Sequence, residues 1–111
     1  MDGMPERTRS PGETDVLVPK TKTRKKVDKP PLFKVLLHND DYTTMEFVVE
    51  ILKSVFRHDE HQAMRIMLHV HHRGVGVAGV YPRDIAETKA EKAMSLAKTA
   101  GFPLLVTCER E

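Results

Sequence analysis

The sequence of 111 residues contains one cysteine, no tryptophan and no long apolar run. The single cysteine, Cys108, excludes an intramolecular disulfide and a thiolate cluster for a metal, because both need at least two thiols. No apolar stretch approaches the ~18 residues of a membrane span, and residues 1–20 lack the apolar core of a signal peptide. We therefore expect a soluble protein that works in a reducing cytoplasm, away from membranes.

The net charge is small, +2 at pH 7 with neutral histidines, and the charges are unevenly distributed. Residues 1–30 contain eight Lys/Arg and five Asp/Glu, whereas the rest of the chain contains ten and eleven. The composition of the first 30 residues predicts a flexible basic N-terminal extension; a docking arm and a nucleic-acid-binding arm are the alternatives. Residues 31–111 are nearly neutral, suffice for one small core and give no basic face for nucleic acid.

Hydrophobic periodicity predicts the element order strand, helix, helix, strand, helix, strand. The first predicted elements are a strand at 32–38 after two prolines and a helix with a capping box of Thr43 and Glu46. A second helix at 59–73 begins near Asp59, which has Gln62 as its capping partner three residues later, and is ended by Gly74. They are followed by a glycine-interrupted strand at 75–81, with a bulge or a close backbone approach, a helix from Pro82 to Gly101, and a strand at 103–108. The third helix has small residues at helical spacing: Ala86, Ala90, Ala93, Ala97 and Ala100. We expect an α+β fold in which three helices cover one face of a small three-stranded antiparallel sheet.

The most polar cluster is Asn39-Asp40-Asp41-Tyr42-Thr43-Thr44, between the first strand and the first helix. One interpretation is structural, because Asn and Asp favour turns and Thr caps helices. A metal site is a weaker interpretation, since adjacent carboxylates lack the spaced ligands and the glycine of an EF-hand loop. A third is recognition, because a carboxylate and an amide beside an apolar groove would suit a primary ammonium group.

Three histidines, His69, His71 and His72, follow at the end of the second helix. They could contribute to a metal site and hence to a metal-dependent hydrolase, but three or four ligands are normally needed. His71 lies at the edge of the buried stripe, as a core histidine or as a partner of the ligand that the acidic turn holds. Cys108 is the one formal nucleophile, and in an apolar strand a thiol is more often inert packing. No phosphate loop, nucleophile elbow or HExxH motif is present, so we expect no enzyme activity.

Four segments together resemble the ClpS family of Clp protease adaptors: LLHNDDYTTMEFV at 36–48, MLHVHHRG at 67–74, AETKAE at 86–91 and PLLVT at 103–107. The resemblance extends over about residues 33–109. It implies a monomeric adaptor, without cofactor or metal, that binds proteins with N-terminal Phe, Leu, Tyr or Trp (N-degrons). Such an adaptor delivers them to a protease whose ATPase is of the ClpA type.

The resemblance also assigns residues. Asn39, Asp40 and His71 would hold the substrate's α-amino group. The first side chain would enter a pocket formed by Leu37, Asp41, Thr43, Met45, Val48, Met67, Val70 and Leu104. Asp84 and Lys89 would dock to the N-terminal domain of the ATPase, although the family often has Glu at Asp84; it also often has Pro at Thr44. The basic extension would engage the ATPase during delivery.

Overall fold

The computed structural model describes residues 29–111, and it confirms the predicted order of elements. The elements are β1 (Leu32–His38), α1 (Met45–Ser54), α2 (Glu60–Arg73), β2 (Val75–Pro82), α3 (Arg83–Ala100) and β3 (Leu105–Arg110). The predicted flexible extension lies outside the described residues, apart from its last two positions. The boundary that we placed at residue 30 therefore stays a prediction.

The three strands form one antiparallel sheet with β1 in the centre, in the order β2-β1-β3. Val35 and Leu37 of β1 are fully buried under the helices, because alternate residues of a strand share one face. The predicted bulge is present in β2: Val35 pairs with Gly79 and Leu36 pairs with Val77, so Ala78 is the extra residue. The predicted α+β fold is confirmed.

Small side chains allow α3 to lie close to the sheet. Four of its alanines are buried: Ala86, Ala90, Ala93 and Ala97. Ala100, the fifth member of the predicted stripe, is exposed next to the left-handed cap at Gly101, so its inclusion was wrong. None of the helices in the described part of the chain is long and apolar enough to cross a bilayer.

The N-terminal cap of α1 differs from the predicted one, whereas the cap of α2 agrees with the prediction. We predicted Thr43 as the cap of α1, but the hydroxyl of Thr44 accepts the hydrogen bond from the Phe47 N–H, at 3.1 Å. Thr43 instead belongs to the turn, where its N–H and its hydroxyl both donate to Asp40. For α2 the prediction is confirmed, since Asp59 caps its first turn.

The ends of the last two predicted elements move by one or two residues. Pro82 is the last residue of β2 and precedes α3, which begins at Arg83. The last strand begins at Leu105 instead of residue 103 and continues to Arg110. The reason is pairing: β3 follows β1 from His38 back to Phe33, which carries the strand into charged residues that the apolar pattern did not include.

Candidate functional site

A backbone hydrogen bond places the polar turn beside the end of α2. The N–H of Asn39, directly after β1, donates to the carbonyl of Gly74 at 2.8 Å. Gly74 ends α2 with a φ of 91°, a left-handed conformation that glycine adopts at little cost. The next residue, Val75, pairs with His38 in the sheet. The turn after β1 and the last turn of α2 are thus held together at one end of the sheet.

A cavity of about 490 Å³ lies at this junction. Its walls come from the turn, the start of α1 and one face of α2: Asn39, Asp40, Asp41, Tyr42, Thr43, Thr44, Met45, Glu46, Val48, Met67, Val70 and His71. The lining therefore includes all three residues predicted to hold an amino group. Among the residues predicted for the side-chain pocket, Leu37 and Leu104 are not among these walls and lie in the core, at 0% and 6% exposure.

Three lining residues were not among those assigned to the amino-group site or the side-chain pocket: Tyr42, Thr44 and Glu46. All three belong to the turn or to the first turn of α1, so their proximity in sequence to Asp40 and Met45 was the available signal. Tyr42 is the most exposed large hydrophobic residue of the described chain, at 74%.

Asp40 organises the polar side of the cavity. Its Oδ1 accepts hydrogen bonds from the N–H groups of Tyr42 and Thr43, at 2.8 and 2.7 Å, and its Oδ2 accepts one from the Thr43 hydroxyl at 2.8 Å. Partial burial would raise the pKa of Asp40, but the hydrogen bonds from Thr43 and Tyr42 outweigh burial, and the pKa lies below that of an ordinary aspartate. The predicted turn is confirmed, and its central carboxylate is ionised at neutral pH.

The same carboxylate keeps capacity for a ligand. A carboxylate has about four acceptor positions, and the turn uses three of them on Asp40. Because Asp40 lines the cavity, the remaining position on Oδ2 can accept from a donor placed there. A cationic donor gains most, since hydrogen bonds between ionised groups are roughly twice as strong as neutral ones.

His71 completes the polar side from α2. It lines the cavity but is exposed, so the interpretation of His71 as a buried core histidine is wrong. Its ring packs edge-on against that of His72, with the centroids 5.5 Å apart. His69 lies elsewhere, in a shallow groove with Val77 of β2. Within residues 29–111, no group of three or more His, Cys, Asp or Glu side chains is placed to hold a metal ion.

The opposite side of the cavity is apolar and belongs to the core. Val48, Met67 and Val70 are buried, and all three are members of the continuous core cluster. Met45 differs, because it is 42% exposed at the first position of α1. The cavity thus combines an ionised rim with a hydrophobic wall, an arrangement suited to a ligand that carries a cation next to an apolar group.

The remaining candidate residues lie outside the cavity. Cys108 is half-buried in β3, and burial together with the nearby negative charge of Glu87 raises the pKa of its thiol, which disfavours the reactive thiolate. Asp84 is exposed in the first turn of α3. Lys89 is half-buried, and its Nζ donates to the Val55 carbonyl at the end of α1, at 2.7 Å. Lys89 therefore ties α3 to the loop between α1 and α2.

Comparison with known proteins gives concordant matches. The family model described as "ATP-dependent Clp protease adaptor protein ClpS" matches residues 28–107. The chain is 57% identical over 91 residues to the ATP-dependent Clp protease adapter protein ClpS of Desulfatibacillum aliphaticivorans, covering 82% of this chain and 88% of that protein. It is 56% identical over 88 residues to the corresponding protein of Myxococcus xanthus, covering 79% and 82%.

A solved structure matches as well. The structure of Agrobacterium tumefaciens ClpS2 bound to L-phenylalaninamide aligns with a TM-score of 0.72 and 53% sequence identity. The alignment covers 75% of this chain and all of that chain. At 53% identity the two proteins share sequence as well as fold.

Proposed function

The chain belongs to the ClpS family of ATP-dependent Clp protease adaptor proteins, and we propose that its cavity holds the N-terminal residue of the substrate. The protein is an adaptor that binds N-degrons and passes them to a Clp protease. One observation carries the assignment of the site: the ionised Asp40 carboxylate and the apolar wall face the same cavity. L-Phenylalaninamide, the ligand of the related A. tumefaciens protein, has the matching groups, a free α-amine next to an apolar ring.

Each end of the cavity has its own role in this proposal. The α-ammonium group donates to the open position of Asp40, with Asn39 and His71 as further partners on the rim. The first side chain lies against Val48 and Val70. Leu37 and Leu104 support this wall from the core without lining it.

Two energies of similar size then select the ligand. A hydrogen bond to a charged group contributes ~1.5 to 3 kcal/mol, and burial of a Leu or Phe side chain contributes ~1.5 to 3 kcal/mol. An internal Phe lacks the ammonium group and loses the first contribution. An N-terminal Lys would have to bury a second charge, which disfavours it. Only bulky apolar residues that are also N-terminal obtain both, which accounts for Phe, Leu, Tyr and Trp.

Several finer statements belong to the proposal. We infer that the protein is a monomer, acts in the cytoplasm, needs no cofactor and catalyses no reaction itself. The raised pKa of the Cys108 thiol supports the last point, because it disfavours the thiolate form of the one formal nucleophile. The alternative function is a metal-dependent hydrolase, but residues 29–111 contain no cluster of three or more side chains placed to bind a metal ion. A stoichiometric, tightly bound ion in the purified protein would support that alternative.

The decisive experiment compares one fluorescent peptide that begins with Phe with its N-acetylated twin. The two differ only in the ammonium group, and fluorescence anisotropy gives both affinities. We expect acetylation to weaken binding by about 30-fold or more, since an ionic partner of Asp40 is removed. Equal affinities would contradict the proposed site.

A separate surface serves delivery. The adaptor has a Clp ATPase as its partner, and we propose that the N-terminal domain of a ClpA-type ATPase contacts α3 at Asp84. Lys89 then supports docking indirectly, because its ammonium group already binds the Val55 carbonyl. Asp84→Lys should impair protease-dependent degradation of a Phe-initiated substrate although the protein stays folded, because an exposed charge in the first turn of α3 contributes only ~1 kcal/mol to the unfolding free energy. Lys89→Met should impair degradation and also lower the unfolding free energy by ~1 kcal/mol, as a hydrogen bond is lost.

A further inference from the structure

A groove of about 300 Å³ lies beside α2 and shares no lining residue with the cavity. Four of its lining residues belong to α2 and one to β2: Gln62, Arg65, Ile66, His69 and Val77. The helix comes close to the strand here, since a Cβ on Gly76 would lie only 2.8 Å from a methyl group of Val70 and 3.1 Å from the ring of His69. The groove therefore lies where α2 meets β2, an edge strand of the sheet.

The backbone of β2 is open on its outer edge. Within residues 29–111, only β1 pairs with β2, so alternate N–H and C=O groups of β2 point away from the sheet without a strand partner. The bulge at Ala78 interrupts this edge, and its carbonyl accepts a hydrogen bond from Nε2 of His58, at 2.5 Å. The stretch before the bulge, residues 75–77, is thus open to a further strand, and it adjoins the groove.

Cations dominate the groove and its surroundings. Arg65 and His69, four residues apart on one face of α2, both line it, and no acidic residue does. The one acidic residue of α2, Glu60, is paired with Lys53 at 3.1 Å, whereas residues 61–73 include two arginines and four histidines. Arg65 is in no ion pair with another residue of the described range. The local field attracts an anion, and the planar guanidinium group of arginine suits a carboxylate.

The two faces of this strand edge differ in chemistry. Gly76 and Ala78 are buried under the helices, so Val75 and Val77, which alternate with them, point to the opposite face and are 37% and 39% exposed. A strand added to the edge would have the cations of α2 on one face and the two valines on the other. Because successive side chains of a strand alternate between faces, the matching strand alternates acidic and apolar residues.

We propose that the edge of β2 and the groove beside it form a docking surface for an extended segment of a partner protein in which acidic and apolar residues alternate. The segment adds as a strand to residues 75–77. Its acidic side chains lie beside Arg65 and His69, and its apolar side chains lie beside the valines. Backbone hydrogen bonds contribute affinity, and the two faces supply selectivity. The surface is separate from the cavity, so the inference does not depend on the proposed N-degron site.

The first test titrates the protein with three short fluorescent peptides in which Val alternates with Glu, Gln or Lys. All three are N-acetylated, so that they offer no α-ammonium group to Asp40. We expect the Glu peptide to bind about fivefold more tightly than the Gln peptide, the Lys peptide to bind most weakly, and added salt to reduce these differences. Equal affinities of the three peptides would overturn the proposal.

A charge reversal locates the contact. Arg65→Glu should weaken binding of the Glu peptide by about fivefold or more and leave the affinity for a Phe-initiated peptide unchanged, because Arg65 does not line the cavity. Arg110→Glu is the matched control, since it makes the same charge change at an exposed position of β3, the opposite edge strand. It should leave both affinities nearly unchanged. Equal losses in the two variants would mean that net charge alone attracts the peptide, and the docking surface would be wrong.

The second test asks whether the segment adds as a strand. Two versions of the Glu peptide carry backbone N-methyl groups, on every Val or on every Glu. Only alternate N–H groups of an added strand face its neighbour, so one version should lose binding and the other should retain it. Equal effects of the two versions would contradict strand addition.

Other occupants of the surface give distinct results. A dimer in sedimentation that dissociates in Arg65→Glu would assign the surface to a second copy of the chain. A single-stranded oligonucleotide that displaces the Glu peptide as well as unlabelled Glu peptide does would show a general anion site. Displacement by a neutral Phe-initiated peptide would place the Glu peptide in the cavity. Each of these results would overturn the proposal, and we expect none of them.

Discussion

The polar rim and the apolar wall of the cavity are built in different ways. The rim is held by short-range hydrogen bonds within the turn, from Tyr42 and Thr43 to Asp40, and its side chains contribute little to the core. The wall consists of Val48, Met67 and Val70, which belong to the main core cluster. Substitutions on the rim should therefore change binding while the fold survives, whereas substitutions on the wall should change stability as well.

The largest effect that tests this difference is expected at Asp40. Asp40→Asn keeps an oxygen for the N–H groups of Tyr42 and Thr43, and its amide can donate to the Thr43 hydroxyl, so the turn persists. The ammonium group, however, loses its negative partner. We expect the affinity for a Phe-initiated peptide to fall by ~2 to 5 kcal/mol, measured by anisotropy.

The control for this prediction is Glu91→Gln, which removes one negative charge from an exposed position of α3. It should leave the affinity unchanged. If Asp40→Asn binds as well as the parent protein, the carboxylate is only part of the turn. If it unfolds, the rim is part of the stability of the fold, and the contrast with the wall fails.

The two methionines at the cavity sharpen the same contrast. Met67→Ala should lower the free energy of unfolding by ~2 to 5 kcal/mol, because Met67 is 6% exposed and its truncation leaves a cavity in the core. Met45→Ala should lower it by much less, since Met45 is 42% exposed at a helix end. Instead, peptides that begin with Ile or Val should gain affinity relative to Phe, because the thioether no longer clashes with a β-branched side chain.

Urea unfolding and a panel of peptides with six different first residues measure both effects. Equal loss of affinity for all six peptides in Met45→Ala would show that Met45 only packs the wall. A large loss of stability would indicate the same. In either case the exposed start of α1 would not act as a gate for the first side chain.

The sequence was sufficient for features that local residues determine. Pro30-Pro31, Gly74 and Gly101 mark element boundaries through their own backbone restrictions, and the Asx turn at Asp40 follows from its neighbours. Which of two adjacent threonines caps α1 was not predictable, because the choice depends on the Asp40 side chain.

Features that depend on distant residues could not be predicted from the sequence. The contact of Lys89 with the Val55 carbonyl joins residues 34 positions apart. Leu37 and Leu104 were predicted to line the pocket; both are buried members of the core and are not among the residues that line the cavity, so their contact with a substrate stays a prediction. No local pattern separates a side chain that reaches a cavity from one just beneath it. The distinction depends on packing at the level of single atoms.

The smallest effect, a dependence of stability on pH, tests the rim alone. The pKa of Asp40 is lower in the folded protein than in the unfolded chain, so the unfolded chain binds more protons as the pH falls. The contribution of the ionised carboxylate is complete above the unfolded value of about 3.9, and it is lost as the pH falls through the lower folded value. The difference in unfolding free energy between the parent protein and Asp40→Asn should thus be constant from pH 7 to about 5 and shrink below about 4. Met67→Ala removes no ionisable group, so the difference in unfolding free energy between the parent protein and this variant should be constant over the same pH range. A stability advantage of the parent protein over Asp40→Asn that instead increases as the pH falls from 7 toward 5 would mean that burial dominates and raises the pKa of the folded carboxyl group, so that the hydrogen bonds of the turn do not hold it in its ionised form.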